Sequence, residues 1–376
     1  MKTFEMICFL RLLLFASIAS VRSLSTDNLP SSGGVAEAYA RSSTSGVVVR
    51  TPLIESPLIN EELNCRLLVK AECLQRTGSF KFRGAFNRLS SLESESANKG
   101  VVAFSSGNFG QALAAAATAL QIPCCIVSPH DAPAVKLERI QKFGADLVLS
   151  TAKPDENREV VASALAQEIS ATKGMTLLHP FEDAQVIHGQ GTCGMELFDQ
   201  CQELTGSPPD IILIPCGGGG LTAGIQLAVE HYQGSDPTTK HTEVYTVEPR
   251  GYDDHARSFN DGKLQSLSEI YSNEPPPSDR SVYCDALMAG APGEITWSVN
   301  GPRLKGALES SGDASAANGM KVAFDHYRLV LEPSGALGLA AVLDGQVDVT
   351  DKTVVVIASG GNIDLEVFGK LMEMVE

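Results

Sequence analysis

With 376 residues, 43% of them hydrophobic, the chain can bury a large core and form two lobes. Its formal net charge of -16 at pH 7 excludes nucleic acid and anionic membrane as natural partners. Nine cysteines show no C-x-x-C metal spacing, and the adjacent pair Cys124 and Cys125 sits inside an apolar strand run; they read as buried, reduced thiols.

Residues 1–24 read as a leader outside the fold. Lys2, the apolar run from Met6 to Ile18 broken by Arg11, and Ala16-Ser-Ile-Ala-Ser20 resemble a signal peptide with a small-residue cleavage site. The run is too short and too interrupted to span a membrane. Few acids precede Asp27, and Arg11, Arg22 and several serines equally permit an organelle transit peptide. The cysteine usage favours an organelle, plastid or mitochondrion, over the secretory route. Residues 25–45 are Ser/Gly-rich and read as a linker.

From Val47 onward, short β-branched runs alternate with Ala/Leu-rich stretches, the signature of parallel sheets with helices on both faces, an α/β fold. The predicted strands are Leu67–Val69, Val101–Phe104, Cys124–Val127, Leu147–Leu149, Ile211–Ile214, Val244–Val247 and Val354–Ile357. The predicted helices include Gly84–Leu92, Gln111–Leu120, Ala134–Phe143, Glu156–Glu168, Thr192–Leu204 and Pro333–Leu343. The self-contained βαβα stretch 100–178 is the expected small, mobile domain, and 46–99 joined to 179–376 the large one.

Strand ends carry the chemistry. After the run Cys65–Val69, a Gly-Ser turn leads to Lys81 at an expected helix start, between Phe80 and Phe82. A helix start depresses the pKa of a nearby ammonium and aromatic rings desolvate it, and both effects raise the neutral fraction that a Schiff-base lysine needs. A solvated surface lysine is the simpler reading of that segment alone. Phe104-Ser-Ser-Gly-Asn108-Phe-Gly lies between a strand and an Ala-rich helix. Pro215-Cys-Gly-Gly-Gly-Gly220-Leu-Thr joins the strand run Asp210–Ile214 to a helical stretch. Strand, glycine loop and helix N-terminus together form an anion pocket of backbone N–H groups. The loop lacks the Lys-Ser/Thr of a Walker motif and the acidic partner of a dinucleotide fingerprint, so it suits a single phosphate monoester. A flexible turn is its simpler reading. Val354–Ile357 ends in Ala-Ser359-Gly-Gly-Asn362. Ligands of open α/β sheets bind beyond the carboxyl ends of strands, so these groups should converge.

Taken in order, these motifs resemble those of the fold-type II pyridoxal-phosphate family, in the branch of serine racemases and serine/threonine dehydratases. The resemblance runs from about Arg50 to the C-terminus. It implies pyridoxal 5'-phosphate as cofactor, a small-molecule amino-acid substrate, and a homodimer. It places the Schiff base on Lys81 and the partner of the cofactor's phenolic oxygen at Asn108. The phosphate falls to Gly217, Gly218, Gly219, Gly220 and Leu221, and the pyridine nitrogen to Ser359. A hydroxyl there holds less positive charge than a carboxylate would, which weakens the electron sink and favours β-elimination and epimerisation over transamination. Biosynthetic threonine deaminases of this family carry a C-terminal effector region, and no such region is expected after the Ser359 motif.

Other positions divide the possible reactions. Ser106 matches the serine that serves racemases as acid/base on the face opposite the lysine; a helix N-cap is its simpler role. Ser79, Ser106 and Thr77 lie where a substrate carboxylate would be held, and Arg158 matches a racemase position that reaches it, although a solvated charge explains Arg158 as well. Phe109 and Phe181 replace the histidine and asparagine of the racemase pattern. The two rings make the pocket more apolar and favour elimination, unless they simply pack in the core. Glu248-Pro-Arg-Gly-Tyr-Asp-Asp254 resembles a cation loop, in which Glu248, Tyr252 (through its carbonyl) and Asp254 would bind Mg²⁺, Ca²⁺ or Mn²⁺. An acidic surface turn is the alternative. His188 is given no role. The expected activity is therefore a serine/threonine ammonia-lyase, with serine racemisation or 3-hydroxyaspartate dehydration as rivals and a cofactor-storing sensor as the non-enzymatic alternative.

Overall fold

The computed structural model describes residues 29–153, 156–234 and 241–375. It is an α/β protein with two sheets, as expected. Its strands are β1 (Leu53–Glu55), β2 (Arg66–Lys70), β3 (Val101–Phe104), β4 (Cys124–Pro129), β5 (Asp146–Ser150), β6 (Thr176–Leu177), β7 (Ile211–Pro215), β8 (Glu243–Glu248), β9 (Gly306–Glu309) and β10 (Thr353–Ile357). Six of them form one sheet in the order β1-β2-β10-β7-β8-β9, and the other four form a second in the order β5-β4-β3-β6. All neighbours run parallel except β1, which pairs antiparallel with β2.

Both faces of each sheet are covered, which is why the central strands are continuous apolar runs. Leu67, Val69, Ile211, Leu213, Val354 and Val356 enter one core, while Leu68, Ile212, Ile214, Val355 and Ile357 enter the core behind it. The smaller sheet divides likewise: Cys124 packs with Val101 and Ile126, and Cys125 with Val102 and Val127 on the other face. Every described cysteine is a free thiol. No described helix is long and apolar enough to cross a membrane.

The expected linker is in part a helix. Ser31 caps Ser32–Thr44, and Val35, Ala38 and Ser42 are buried. Tyr39 donates to Asp199 Oδ2 at 2.8 Å, and the Ser31 N–H donates to His188 Nε2 at 3.0 Å, which gives His188 a packing role. The spacing 35, 38, 42 is helical, but Ala and Ser carry too little hydrophobicity for it to stand out against a Ser/Gly-rich composition. The leader at 1–24 lies outside the described residues. Helix Ala184–Thr205 begins eight residues before the predicted Thr192; Gly189 and Gly191 lower the local helix propensity, which hid its first turns in the sequence. Those glycines are required for close packing: a Cβ on Gly189 would lie 2.6 Å from the Arg83 carbonyl, and one on Gly191 would lie 2.7 Å from the Gly224 carbonyl.

A buried charge network fixes the element that carries Lys81. On helix Lys81–Ser90, Arg83 makes paired bonds to Glu72 (2.7 and 2.8 Å) and to Glu196 (2.8 and 2.7 Å). Lys70 bonds the same Glu196 at 2.7 Å and Gln200 at 2.9 Å. Two cations and two anions thus balance without solvent. Arg83→Met leaves Glu72 and Glu196 with too little positive charge, and the expected loss is about 3–5 kcal/mol in denaturant unfolding. Glu203→Ala, which removes an exposed partner of Arg50, is expected to cost no more than about 1 kcal/mol.

Candidate active site

Helix Lys81–Ser90 starts at Lys81 itself, at the mouth of β2. The turn leading to it is strained: Thr77 has φ 64°, left-handed for a β-branched residue, a conformation that costs about 1–3 kcal/mol. Asn362 Nδ2 holds the Thr77 carbonyl at 2.7 Å, and the Gly361 N–H holds that of Gly78 at 2.9 Å. The Thr77 and Ser79 hydroxyls are buried without partners among the described residues, ready for a ligand's acceptor atoms. Among the described residues Lys81 Nζ reaches only the Pro180 carbonyl, at 3.4 Å, and lies 5.0 Å from the centre of the Phe80 ring. Burial lowers its pKa to about 8, against the opposing pull of Cys216 and Glu332. Phe82 does not flank the amine as expected; it packs with Phe86 and Leu89 in the core under the helix.

The glycine loop lies between β7 and helix Gly220–Gln233. Thr296 Oγ1 donates to the Gly218 carbonyl at 2.7 Å and Asn300 Nδ2 to that of Gly219 at 3.1 Å. With those carbonyls tied back, the N–H groups from Gly217 to Leu221 make no backbone hydrogen bond outside the helix among the described residues. This is the donor set of an anion cradle at a helix N-terminus. Gly219 has φ +88°, and a Cβ at Gly218 would fall 2.5 Å from ring atoms of Phe181. Phe181 therefore covers the cradle as an apolar wall. Phe109 does not: it is buried among Ala103, Ile126 and Ile140, so core packing accounts for it.

Asn108, the first residue of its helix, donates from Nδ2 to Glu332 Oε1 at 2.7 Å and accepts from Asn362 Nδ2 at 2.8 Å. Ser359 is buried at the end of β10, where its carbonyl accepts the Phe80 N–H at 3.1 Å. Gly360 bridges to Ser79. Ser79 and the Lys81 helix start thus adjoin the Ser359 turn, Asn108 joins that turn through Asn362, and Phe181, next to the Pro180 carbonyl that Lys81 reaches, packs on the glycine loop. Ser106 sits in the loop between β3 and the Asn108 helix, and Ser105 takes the capping work there: its Oγ accepts the N–H of Gly107 at 3.3 Å and of Gly110 at 3.0 Å. The Ser106 hydroxyl has no partner among the described residues. Arg158 stands apart, paired on the surface with Asp131 at 3.0 Å and Glu159 at 3.5 Å.

Glu332 is a site residue that the sequence reading missed. Burial, reinforced by Asp285, raises its carboxyl to about 8, so it is largely protonated at neutral pH. Its only signal in sequence is an acid inside the apolar run Val330-Leu-Glu-Pro-Ser-Gly-Ala, where it also reads as an ordinary helix start before Pro333. His255 was missed as well. The structure brings Glu248 and Asp254 together, but their nearest companion is the His255 ring. Tyr252 has its ring covered by the Arg280 guanidinium at 3.7 Å.

These residues fit pyridoxal phosphate: a desolvated amine, a cradle of free N–H groups and a hydroxyl at the end of β10. Comparison with known proteins agrees. Residues 44–360 match the family described as "Pyridoxal-phosphate dependent enzyme". The chain is 36% identical to a serine racemase of Arabidopsis thaliana, covering 84% of this chain and 88% of that protein. It is 35% identical to an L-threo-3-hydroxyaspartate ammonia-lyase of Pseudomonas sp, covering 87% and 94%. Among solved structures, maize serine racemase superposes with a TM-score of 0.78 at 32% identity, covering 92% of this chain and 97% of that one. A threonine deaminase from T.th. gives 0.77 at 36% identity, covering 89% and 99%.

Proposed function

Since the chain belongs to the pyridoxal-phosphate dependent enzymes, we propose that it is an ammonia-lyase that eliminates the β-hydroxyl of L-serine or L-threonine. The products are the 2-oxo acid and ammonia. The observation that carries this reading is the Lys81 amine, desolvated to a pKa of about 8 and set against the Pro180 carbonyl, beside the Phe181 ring that packs on the glycine loop. Bound pyridoxal phosphate supplies the electron sink for charge developing at the substrate α-carbon. Gly217–Gly220 and Leu221 would hold its phosphate, Asn108 its phenolic oxygen and Ser359 its ring nitrogen. Lys81 Nζ takes the α-proton as general base. The unpartnered Thr77 and Ser79 hydroxyls orient the substrate carboxylate, and Phe181 excludes water. Arg158 would join them only by leaving Asp131.

A second reading is favoured by one feature. The free hydroxyl of Ser106 offers a proton donor distinct from Lys81, which supports racemisation of serine alongside elimination. Residues 100–178, with a sheet of their own and a core of their own on one face of it, would close over the substrate as the mobile domain. The reading includes a homodimer and a leader at 1–24 addressed to an organelle. It also includes a divalent cation between Glu248 and Asp254, because two buried carboxylates side by side call for a countercharge. Incubation with L-serine, L-threonine and L-threo-3-hydroxyaspartate, scored for 2-oxo acid and D-enantiomer, tests the proposal. 2-Oxo acid from serine and threonine is expected to exceed D-serine; D-serine made faster than pyruvate would overturn the order of the two readings.

A further inference from the structure

Glu248 ends β8 fully buried, and its two oxygens accept the N–H groups of His255 at 2.8 Å and Ala256 at 2.7 Å. Asp254 Oδ2 is buried and has no hydrogen-bond donor among the described residues. The His255 ring is fully buried too, beside Cys216, and neither of its nitrogens makes a well-formed hydrogen bond among the described residues. Nδ1 lies 3.5 Å from Glu248 Oε1 and 3.5 Å from Asp254 Oδ2. One donor atom from each of the three residues falls within 4.8 Å of the others. Donors each about 2.0–2.2 Å from one ion lie at most about 4.4 Å apart, and the two 3.5 Å separations fall inside that limit. A neutral imidazole facing two carboxylates is costly, and either a proton on the ring or a bound cation relieves it.

The far side of the ring points elsewhere. A Cβ on Gly219 would lie 2.7 Å from His255 Nε2, 2.8 Å from Asn300 Nδ2 and 3.0 Å from Thr296 Oγ1. The imidazole therefore underlies the glycine loop, beside the two side chains that tie back its carbonyls.

We propose that His255 is a ligand, with Glu248 and Asp254, of one divalent ion, and that through this ring the ion braces the phosphate cradle from below. This deepens the reading of Glu248 and Asp254 as a cation site and rests on it. An imidazole in the set turns an oxygen site suited to Mg²⁺ or Ca²⁺ into one that prefers Mn²⁺, Co²⁺ or Zn²⁺. Ligation through Nδ1 also fixes the tautomer, so that Nε2 carries its proton toward the loop. Because the ion orders a ring on which the loop rests, metal and cofactor strengthen each other's binding, reciprocally.

The test uses the full-length protein stripped with chelator. Calorimetric titration should show Mn²⁺ binding at least about tenfold more tightly than Mg²⁺. Electron spin-echo modulation of bound Mn²⁺ should show an imidazole nitrogen, a readout that requires no variant. Absorption titration with pyridoxal phosphate should give a lower Kd with Mn²⁺ present, and His255→Asn should lose both the Mn²⁺ preference and that gain. Mn²⁺ bound without a nitrogen signal, and no better than Mg²⁺, would remove His255 from the ligands while leaving the acidic cation site standing. No binding of any ion would overturn both, leaving an imidazolium held by two carboxylates.

Discussion

Lys81→Ala is expected to abolish the visible absorption of the bound cofactor and to lower elimination by at least about 10³-fold, the scale of losing an acid–base group that is also the covalent anchor. No other described lysine combines a strand-end position, a pKa lowered by desolvation and freedom from an ion pair; Lys70 is more deeply buried but is bonded to Glu196. Retention of covalent cofactor at another lysine, located by borohydride reduction and peptide mapping, would refute the assignment. The pH dependence follows from the same environment. Burial sets Lys81 at about 8 in place of 10.5, so the neutral amine is scarce at pH 6 and abundant at pH 9. Capture of added pyridoxal phosphate by cofactor-free protein should accelerate as pH rises through about 8. The folded value lies below the unfolded one, so the unfolded chain binds more protons between about 8 and 10.5. The penalty on stability is thus complete below about 8 and relieved as pH rises across that window. Lys81→Ala should remove this rise in thermal scans.

Much of this site was legible because strands buried on both faces leave a strong mark. Ile211–Ile214 and Val354–Ile357 are unbroken apolar runs, and the polar turn after each falls at the sheet's carboxyl edge, where ligands bind. Lys81, Asn108, Gly217–Gly220 and Ser359 all lie on such turns. What was hidden depends on partners distant in sequence. Glu332 meets Asn108 from 224 positions away, and Thr296 reaches Gly218 across 78. Neither pairing leaves a local pattern. His255 was hidden by its neighbours, since an acidic loop already explained Glu248 and Asp254. Phe109 shows the opposite error: a position beside Asn108 suggested a pocket wall, but one residue along a helix turns the side chain about 100°, here into the core.

Ser106→Ala is expected to separate the two reactions, lowering D-serine formation by about 10²–10⁴-fold while elimination from L-serine changes by no more than a few-fold. Epimerisation must remove a proton from one face of the α-carbon and return one to the other. If Lys81 Nζ is the sole donor, the proton returns to the face it left and L-serine is regenerated. Elimination makes no such demand, since the β-hydroxyl departs after proton removal by Lys81 alone. The structure sharpens the test by freeing Ser106 from the capping role its position suggested: Ser105 Oγ serves the N–H groups of Gly107 and Gly110, so alanine at 106 deprives the loop of no hydrogen bond. Ser105→Ala is then the control, expected to loosen the loop and slow both reactions together. With Phe109 in the core, Phe181 alone supplies the apolar wall, and Phe181→Asn should move the balance toward racemisation. The methyl group of L-threonine is worth only about 1–3 kcal/mol against such a wall, so serine should remain a substrate in every variant. Equal loss of both reactions in Ser106→Ala would place the residue in support of the loop or the cofactor and not on the far face of the α-carbon.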